Sequence, residues 1–176
     1  SFLGAGSWGT ALAVLCANNG HQVTIWSKIK AETDMLRENR EHKDRLPGVK
    51  LPDSIVIEDD LEKACTGQDI IVFSVASPFV RSTAQLAKPY IKEKQIIVNV
   101  AKGIEDDTLM TLCGILEDEL PMADVTVLSG PSHAEEVSKG VPTTVVVGAK
   151  TEKTAMFVQD VFMGDSFRVY TSPDMI

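Results

Sequence analysis

Near its start the chain carries Gly4-Ala5-Gly6-Ser7-Trp8-Gly9, a G-x-G-x-x-G pattern. A short apolar stub, Ser1 to Leu3, comes before it, and a stretch with Trp8, Leu12, Leu15 and Asn19 at helical spacing comes after. In a strand-to-helix turn each glycine has its own use. The first permits the tight bend, the second lets a pyrophosphate approach the backbone, and the third lets helix and strand pack closely. Free amides at the helix start then hold the anion, so Gly4, Gly6 and Gly9 point to a dinucleotide site. Trp8 either covers such a ligand or opens the buried stripe of the helix.

An acid about 20 residues beyond such a turn grips the ribose 2′-hydroxyl of NAD. Here the second strand ends Ile25-Trp26-Ser27-Lys28, with no carboxylate at that place, and Glu32 falls one helical turn further on. Lys28 offers a cation to the 2′-phosphate of NADP, against the plainer reading of a solvated helix start.

Ligands of open α/β sheets sit outside the carboxyl ends of the strands. Three apolar runs end in small or chemically useful residues: Ser74-Val75-Ala76-Ser77-Pro78-Phe79, Asn99-Val100-Ala101-Lys102-Gly103-Ile104-Glu105 and Leu128-Ser129-Gly130-Pro131-Ser132-His133. Lys102 is the sharpest of these. Its ammonium should enter the same cleft as the glycine turn, to bind an anionic substrate or polarise a carbonyl as hydride arrives. His133 has the right titration range but belongs to a helix start, and His21 and His42 lie outside the strand ends. Glu105-Asp106-Asp107 and Glu117-Asp118-Glu119 read as acids of helix ends rather than as a catalytic pair.

The elements that must position these groups alternate from end to end. Strands are expected at Ser1 to Leu3, Gln22 to Trp26, Ser54 to Ile57, Asp69 to Val75, Gln95 to Val100, Val125 to Ser129, Thr143 to Val147 and Phe167 to Tyr170. Between them fall helices from Trp8 to Asn19, Lys28 to Asn39, Leu61 to Cys65, Phe79 to Lys88, Thr108 to Glu119, Ser132 to Ser138 and Glu152 to Phe162, with Asp106-Asp107 and Ser132 as expected caps. Ile70-Ile71-Val72-Phe73 and Ile96-Ile97-Val98 do not alternate, so both faces of the sheet are covered. The fold class is α/β: a Rossmann-like, doubly wound, mostly parallel sheet with helices on both faces. Leu46-Pro47-Gly48-Val49-Lys50-Leu51-Pro52 is a loop of defined shape.

Composition narrows the function. The chain has 176 residues, 44% of them hydrophobic, and a formal net charge of −8, which offers no basic field to a nucleic acid. Cys16, Cys65 and Cys113 form neither a C-x-x-C pair nor an even set, pointing to a reducing, cytoplasmic setting rather than zinc or disulfides. Ser1 to Gly20 is uncharged but lacks the basic start of an export signal and the roughly 20 apolar residues of a membrane span. Only three residues precede the first glycine, and Thr171 to Ile176 begins a segment left unfinished. We therefore expect residues 1–176 to be one N-terminal dinucleotide-binding domain of a longer enzyme.

Four segments together resemble the bacterial-type NAD(P)-dependent glycerol-3-phosphate dehydrogenases, in their N-terminal domain. They are Gly4 through Ala11, Asn39 through Pro52, Ala101-Lys102-Gly103-Ile104-Glu105 and Ser129-Gly130-Pro131-Ser132-His133-Ala134-Glu135-Glu136. The resemblance implies reversible hydride transfer from NADH or NADPH to dihydroxyacetone phosphate, giving sn-glycerol 3-phosphate for phospholipid synthesis. It puts Ser7, Trp8, Lys28, Phe79 and Ala134 at cofactor positions, Lys102 on cofactor and substrate, and Gly130 and Ser132 on the substrate. Lys28 departs from the arginine or histidine of many relatives, keeping the charge but losing the planar fork. The resemblance also implies that the principal catalytic lysine lies in a helical C-terminal domain beyond Tyr170-Thr171-Ser172-Pro173. The fragment alone is then inactive, with an apolar docking patch through which it can pair as a homodimer. Two rivals stand beside this reading: another hydroxy-acid dehydrogenase of the same fold, and a non-catalytic NAD(H)-sensing domain.

Overall fold

In the computed structural model, which describes Ser1–Met175, the apolar runs become the inner strands of one eight-stranded sheet. The strands are β1 (Phe2–Leu3), β2 (Thr24–Trp26), β3 (Val56–Glu58), β4 (Ile70–Phe73), β5 (Ile96–Asn99), β6 (Asp124–Ser129), β7 (Thr143–Ala149) and β8 (Phe167–Ser172). Their order is β3-β2-β1-β4-β5-β6-β7-β8. Neighbouring strands are parallel except at the β6–β7 junction, where Thr126 faces Ala149 and Ser129 faces Val146. The order reverses direction between β1 and β4, where Leu3 pairs with Phe73. Loops leave this switch point to opposite sides and open a crevice above it.

The helices are α1 (Ser7–Asn18), α2 (Lys30–Asn39), α3 (Leu61–Cys65), α4 (Val80–Ala87), α5 (Leu112–Glu119), α6 (Ala134–Ser138) and α7 (Glu152–Phe162). Two cores form, one on each face of the sheet. On one side Leu12, Ala13, Leu36, Val137, Val158 and Phe162 pack on Ile25, Val72 and Val98. On the other, Ala64, Val80, Ala84, Ile115 and Leu116 pack on Leu3, Ile71, Phe73 and Ile97. β4 is buried along its whole length, as its unbroken apolar run requires. The doubly wound sheet with two covered faces is thus observed.

Several helix starts differ from expectation, each for a local reason. The helix expected from Thr108 begins at Leu112. Leu109 adopts a positive φ of 57° and Ile104 bridges Thr111, so residues before Thr111 close a loop of their own. Thr111, not Asp106 or Asp107, caps α5, its hydroxyl accepting from the Gly114 amide at 3.2 Å. Ser132 does not cap α6 either; His133 holds the N-cap position, and the Ser132 hydroxyl donates to the Gly130 carbonyl at 3.3 Å. α2 starts at Lys30 because the Ser27 hydroxyl accepts from the Ile29 amide at 3.1 Å and holds the preceding turn.

The proline loop has the defined shape expected of it. Leu46 and Leu51 are buried, and Leu46 packs with Ala11 and Ala134. Cys16, Cys65 and Cys113 are free and buried. Burial pushes the Cys16 thiol up to about 12 and the other two to about 11, which removes them as nucleophiles. Val146 and Tyr170, register partners on β7 and β8, are exposed on the outer part of the sheet. No helix of the described residues is long and apolar enough to cross a membrane.

Candidate functional site

The glycine turn is built by the contact between β1 and β4. Gly4 adopts a φ of +119°, its amide donates to the Trp26 carbonyl at 2.8 Å, and its carbonyl accepts from the Ser74 hydroxyl at 2.9 Å. A Cβ at Gly4 would lie 2.6 Å from the Val75 nitrogen, so only glycine lets the two strand ends close. Gly9 has a related constraint, since a Cβ there would meet the Ser74 hydroxyl at 2.5 Å and the Gly4 carbonyl at 2.8 Å. Gly6 differs. A Cβ would meet nothing nearer than the Ser74 carbonyl at 3.9 Å, leaving the space over this peptide open to a ligand.

Gly6 is also the N-cap of α1 and supplies no side-chain cap. The first helical hydrogen bond runs from the Thr10 amide to the Gly6 carbonyl at 2.9 Å, so the amides of Ser7, Trp8 and Gly9 have no partner within the helix. Twelve aligned residues end there in a positive partial charge. This end of α1 is suited to a phosphate group.

Above it lies a cleft of about 960 Å³, lined among others by Gly4, Gly6, Ser7, Trp8, Lys28, Phe79, Lys102, Ser132 and Ala134. Residues from the ends of β1, β2, β4 and β5 and the start of α6 therefore meet in one space. Its volume lies at the upper end of ordinary ligand pockets, which leaves room for a large ligand. Lys28, Arg45 and Lys102 bring three cations to its lining. The uncapped amides, the open space at Gly6 and these cations together fit a dinucleotide.

Lys102 faces the crevice of the glycine turn, and its ammonium donates to the Gly130 carbonyl at 3.0 Å. Gly130 itself does not line the cleft. A Cβ there would meet the Thr144 carbonyl at 2.8 Å and Val145 Cα at 2.9 Å, so its backbone fits tightly against β7 while its carbonyl receives both Lys102 and Ser132. Gly9 likewise serves packing rather than the cleft wall. Ser132 is nearly buried yet reaches the cleft. His133 lines it as well, whereas His21 and His42 do not.

Sequence reasoning left the second strand's end without a carboxylate, and the fold supplies one. Because α2 starts late, Glu32 lies in its first turn and accepts from the Ser27 hydroxyl at 2.6 Å. Its other oxygen lies 3.4 Å from Arg45 Nε and 3.9 Å from His42 Nε2. Glu32, Arg45 and Lys28 thus share the end of the cleft beside β2. Arg45, Ile29 and Leu86 were not anticipated. For Leu86 a signal existed, since Phe79, Ser82, Thr83 and Leu86 fall on one helical face. Arg45 lies far from the turn in sequence, and no local pattern brings it there.

A glycine turn at the switch point of a doubly wound sheet, beneath a cleft that Lys28, Arg45 and Lys102 line, defines the class of dinucleotide-binding α/β domains. Within that class the chain belongs to the NAD-dependent glycerol-3-phosphate dehydrogenases, whose N-terminal family model matches residues 1–155. It is 59% identical over 174 residues to the NAD(P)+ glycerol-3-phosphate dehydrogenase of Agathobacter rectalis, covering 99% of this chain and 52% of that protein. Identity to the enzyme of the same name from Fusobacterium nucleatum is 52% over 178 residues, covering 100% of this chain and 53% of that protein. The chain spans about half the length of the curated relatives it matches. The crystal structure of glycerol-3-phosphate dehydrogenase from Coxiella burnetii superposes with a TM-score of 0.94 at 31% identity, over 99% of this chain and 53% of that one.

Proposed function

We propose that residues 1–176 are a dinucleotide-binding domain that takes NAD or NADP in the cleft above the glycine turn. Its reaction, in the longer protein, is reversible hydride transfer between the reduced cofactor and dihydroxyacetone phosphate, giving sn-glycerol 3-phosphate for phospholipid synthesis. One observation carries this reading: the uncapped start of α1 and the ammonium of Lys102 open onto the same cleft. The amides of Ser7, Trp8 and Gly9, which have no partner within the helix, would hold the pyrophosphate. Lys28 and Arg45, which line the same end of the cleft, would hold a 2′-phosphate, and Glu32 would accept from a 2′-hydroxyl instead, a pairing that fits use of either cofactor. Phe79 and Ala134 complete the cofactor wall. When bound, the nicotinamide ring supplies the hydride. Lys102 orients the carbonyl by donating to its oxygen and stabilises the charge that grows there, while Ser132 and the backbone beside Gly130 hold the substrate.

The Lys102 hydrogen bond is solvent-exposed, so this chain by itself leaves the reacting carbonyl in water. We expect it to bind cofactor and turn over negligibly. In a protein of the relatives' length a helical C-terminal domain would close over the cleft and complete the site, in a cytoplasmic setting that the buried free thiols fit.

The test has two arms. Titration of this chain with NADPH and NADH, followed by energy transfer from Trp8 and Trp26, should saturate, and a Lys102→Ala variant should bind more weakly. In a protein of the relatives' full length, reduction of dihydroxyacetone phosphate should far exceed that of short keto acids, and Lys102→Ala should lower it about 100-fold or more. Preference for keto acids would favour another dehydrogenase of the fold. Binding with no turnover of any of these substrates would favour a sensor.

A further inference from the structure

Outside the cleft wall, Arg81 on α4 gathers three carboxylates around one guanidinium. Its Nε and Nη2 each donate at 2.8 Å to one oxygen of Glu105, a two-point fork. Its Nη1 donates to Asp118 at 2.9 Å and to Glu119 at 2.7 Å, both at the end of α5. The side chains of Arg81 and Glu105 are only 25% and 22% exposed, and neither lines the cleft. The guanidinium holds the Glu105 carboxyl down to about 2, helped by the Thr108 hydroxyl, which donates to it. Glu105 is therefore ionised throughout the neutral range.

Glu105 stands three residues after Lys102, and the short segment between them is fastened at both ends. Before Lys102, the Asn99 side chain brackets Ala101, donating to its carbonyl and accepting from its amide at 3.2 Å. After it, Gly103 at φ +131° lies where a Cβ would come within 3.1 Å of Ser77. Glu105 then closes the loop, its amide donating to the Met110 carbonyl at 3.0 Å and its carbonyl accepting from Leu109 at 2.9 Å. Its carboxylate is tied through Arg81 to the helix whose Ser82, Thr83 and Leu86 line the cleft.

An isolated surface ion pair contributes little to stability. A two-point fork on a loop that carries a flexible lysine matters differently, because it removes freedom that the lysine would otherwise lose on binding. Resting on the reading of Lys102 as a cofactor contact, we propose that Arg81 is a positioning residue. Through Glu105 it fixes the loop from Ala101 to Glu105, so that the Lys102 ammonium stands over the cleft beside the Gly130 carbonyl.

A double-mutant cycle on NADPH affinity tests this, with thermal unfolding of each variant measured alongside. Lys102→Met should raise Kd about 10-fold or more, the loss of one charge-assisted hydrogen bond. Arg81→Met should raise it about fivefold in the parent and less than about twofold in the Lys102→Met background, because its effect passes through the lysine. Glu105→Gln preserves the shape and should follow Arg81→Met, which covers the case in which that variant does not fold. In protein whose lysines carry 13C methyl groups, the Lys102 signal should move in ligand-free Arg81→Met while that of Lys153, on α7, stays. Equal losses in both backgrounds, no loss from either Arg81→Met or Glu105→Gln, or an unmoved Lys102 signal overturns the positioning role. No effect of Lys102→Met overturns the cofactor reading of that lysine and this inference with it.

Discussion

Glycines in this chain do two kinds of work that a motif alone does not separate. Gly6 leaves room for a ligand, whereas Gly4, Gly9 and Gly130 leave room for the protein itself. Gly130 resembles a substrate-binding position, yet its Cα is pressed against β7 and only its carbonyl addresses the cleft, through Lys102. Gly9→Ala and Gly130→Ala should each destabilise the chain by about 1–3 kcal/mol, the usual cost of overpacking. Gly6→Ala should leave the thermal midpoint nearly unchanged and weaken NADPH binding. Thermal unfolding and titration of the three variants check this contrast.

Among the elements, the loop between β5 and α5 departs most from a simple reading. Acids at Glu105, Asp106 and Asp107 suggest a helix start, but Glu105 is recruited by Arg81 and the helix waits for the Thr111 cap. Once the carboxylate has a guanidinium partner, it no longer serves the helix end. Acid stability reports the pairing. Glu105 titrates near 2 in the folded chain against an ordinary 4.5, so the folded state binds fewer protons than the unfolded state between those values. Its contribution is complete above about 4.5 and is lost as pH falls towards 2. Glu105→Gln should therefore be less stable than the parent at pH 7 and lose less stability on acidification. Urea unfolding at pH 7, 4 and 3 measures both differences.

For the whole molecule, the cleft draws on the ends of four strands, α4 and the start of α6, so a ligand that fills it ties both covered faces of the sheet together. Binding to the folded state alone must raise the unfolding temperature. At NADPH concentrations about 100 times Kd the gain is about 2.7 kcal/mol. For a chain of this size that corresponds to roughly 5–10 °C. The shift should shrink in Lys102→Met in step with its Kd, and a scanning calorimeter measures both. A shift of equal size in the two proteins would place the ligand away from Lys102.

The glycine turn, the unbroken apolar runs of β4 and β5, the tight proline loop and the strand ends bearing Lys102 and Ser132 were legible in the residues, because backbone sterics and hydrophobic periodicity act over a few positions. Helix starts at Lys30, Leu112 and Ala134 were not: Ser27 holds the turn before Lys30, the loop from Ile104 closes on Thr111 before α5 begins, and the Ser132 hydroxyl turns to Gly130 instead of capping α6. Nor was the placing of Arg45 and Glu32 beside Lys28, or of Arg81 behind Lys102. These groups lie 13 to 24 residues apart along the chain where an ion pair joins them, as Glu32 with Arg45 and Arg81 with Glu105. Such meetings depend on how loops leave neighbouring strands. Local sequence thus determined which segments form the sheet and which end of it can hold a phosphate; the tertiary structure decided which charges face one another across that end, since Coulomb and hydrogen-bond contacts follow distance in space rather than along the chain.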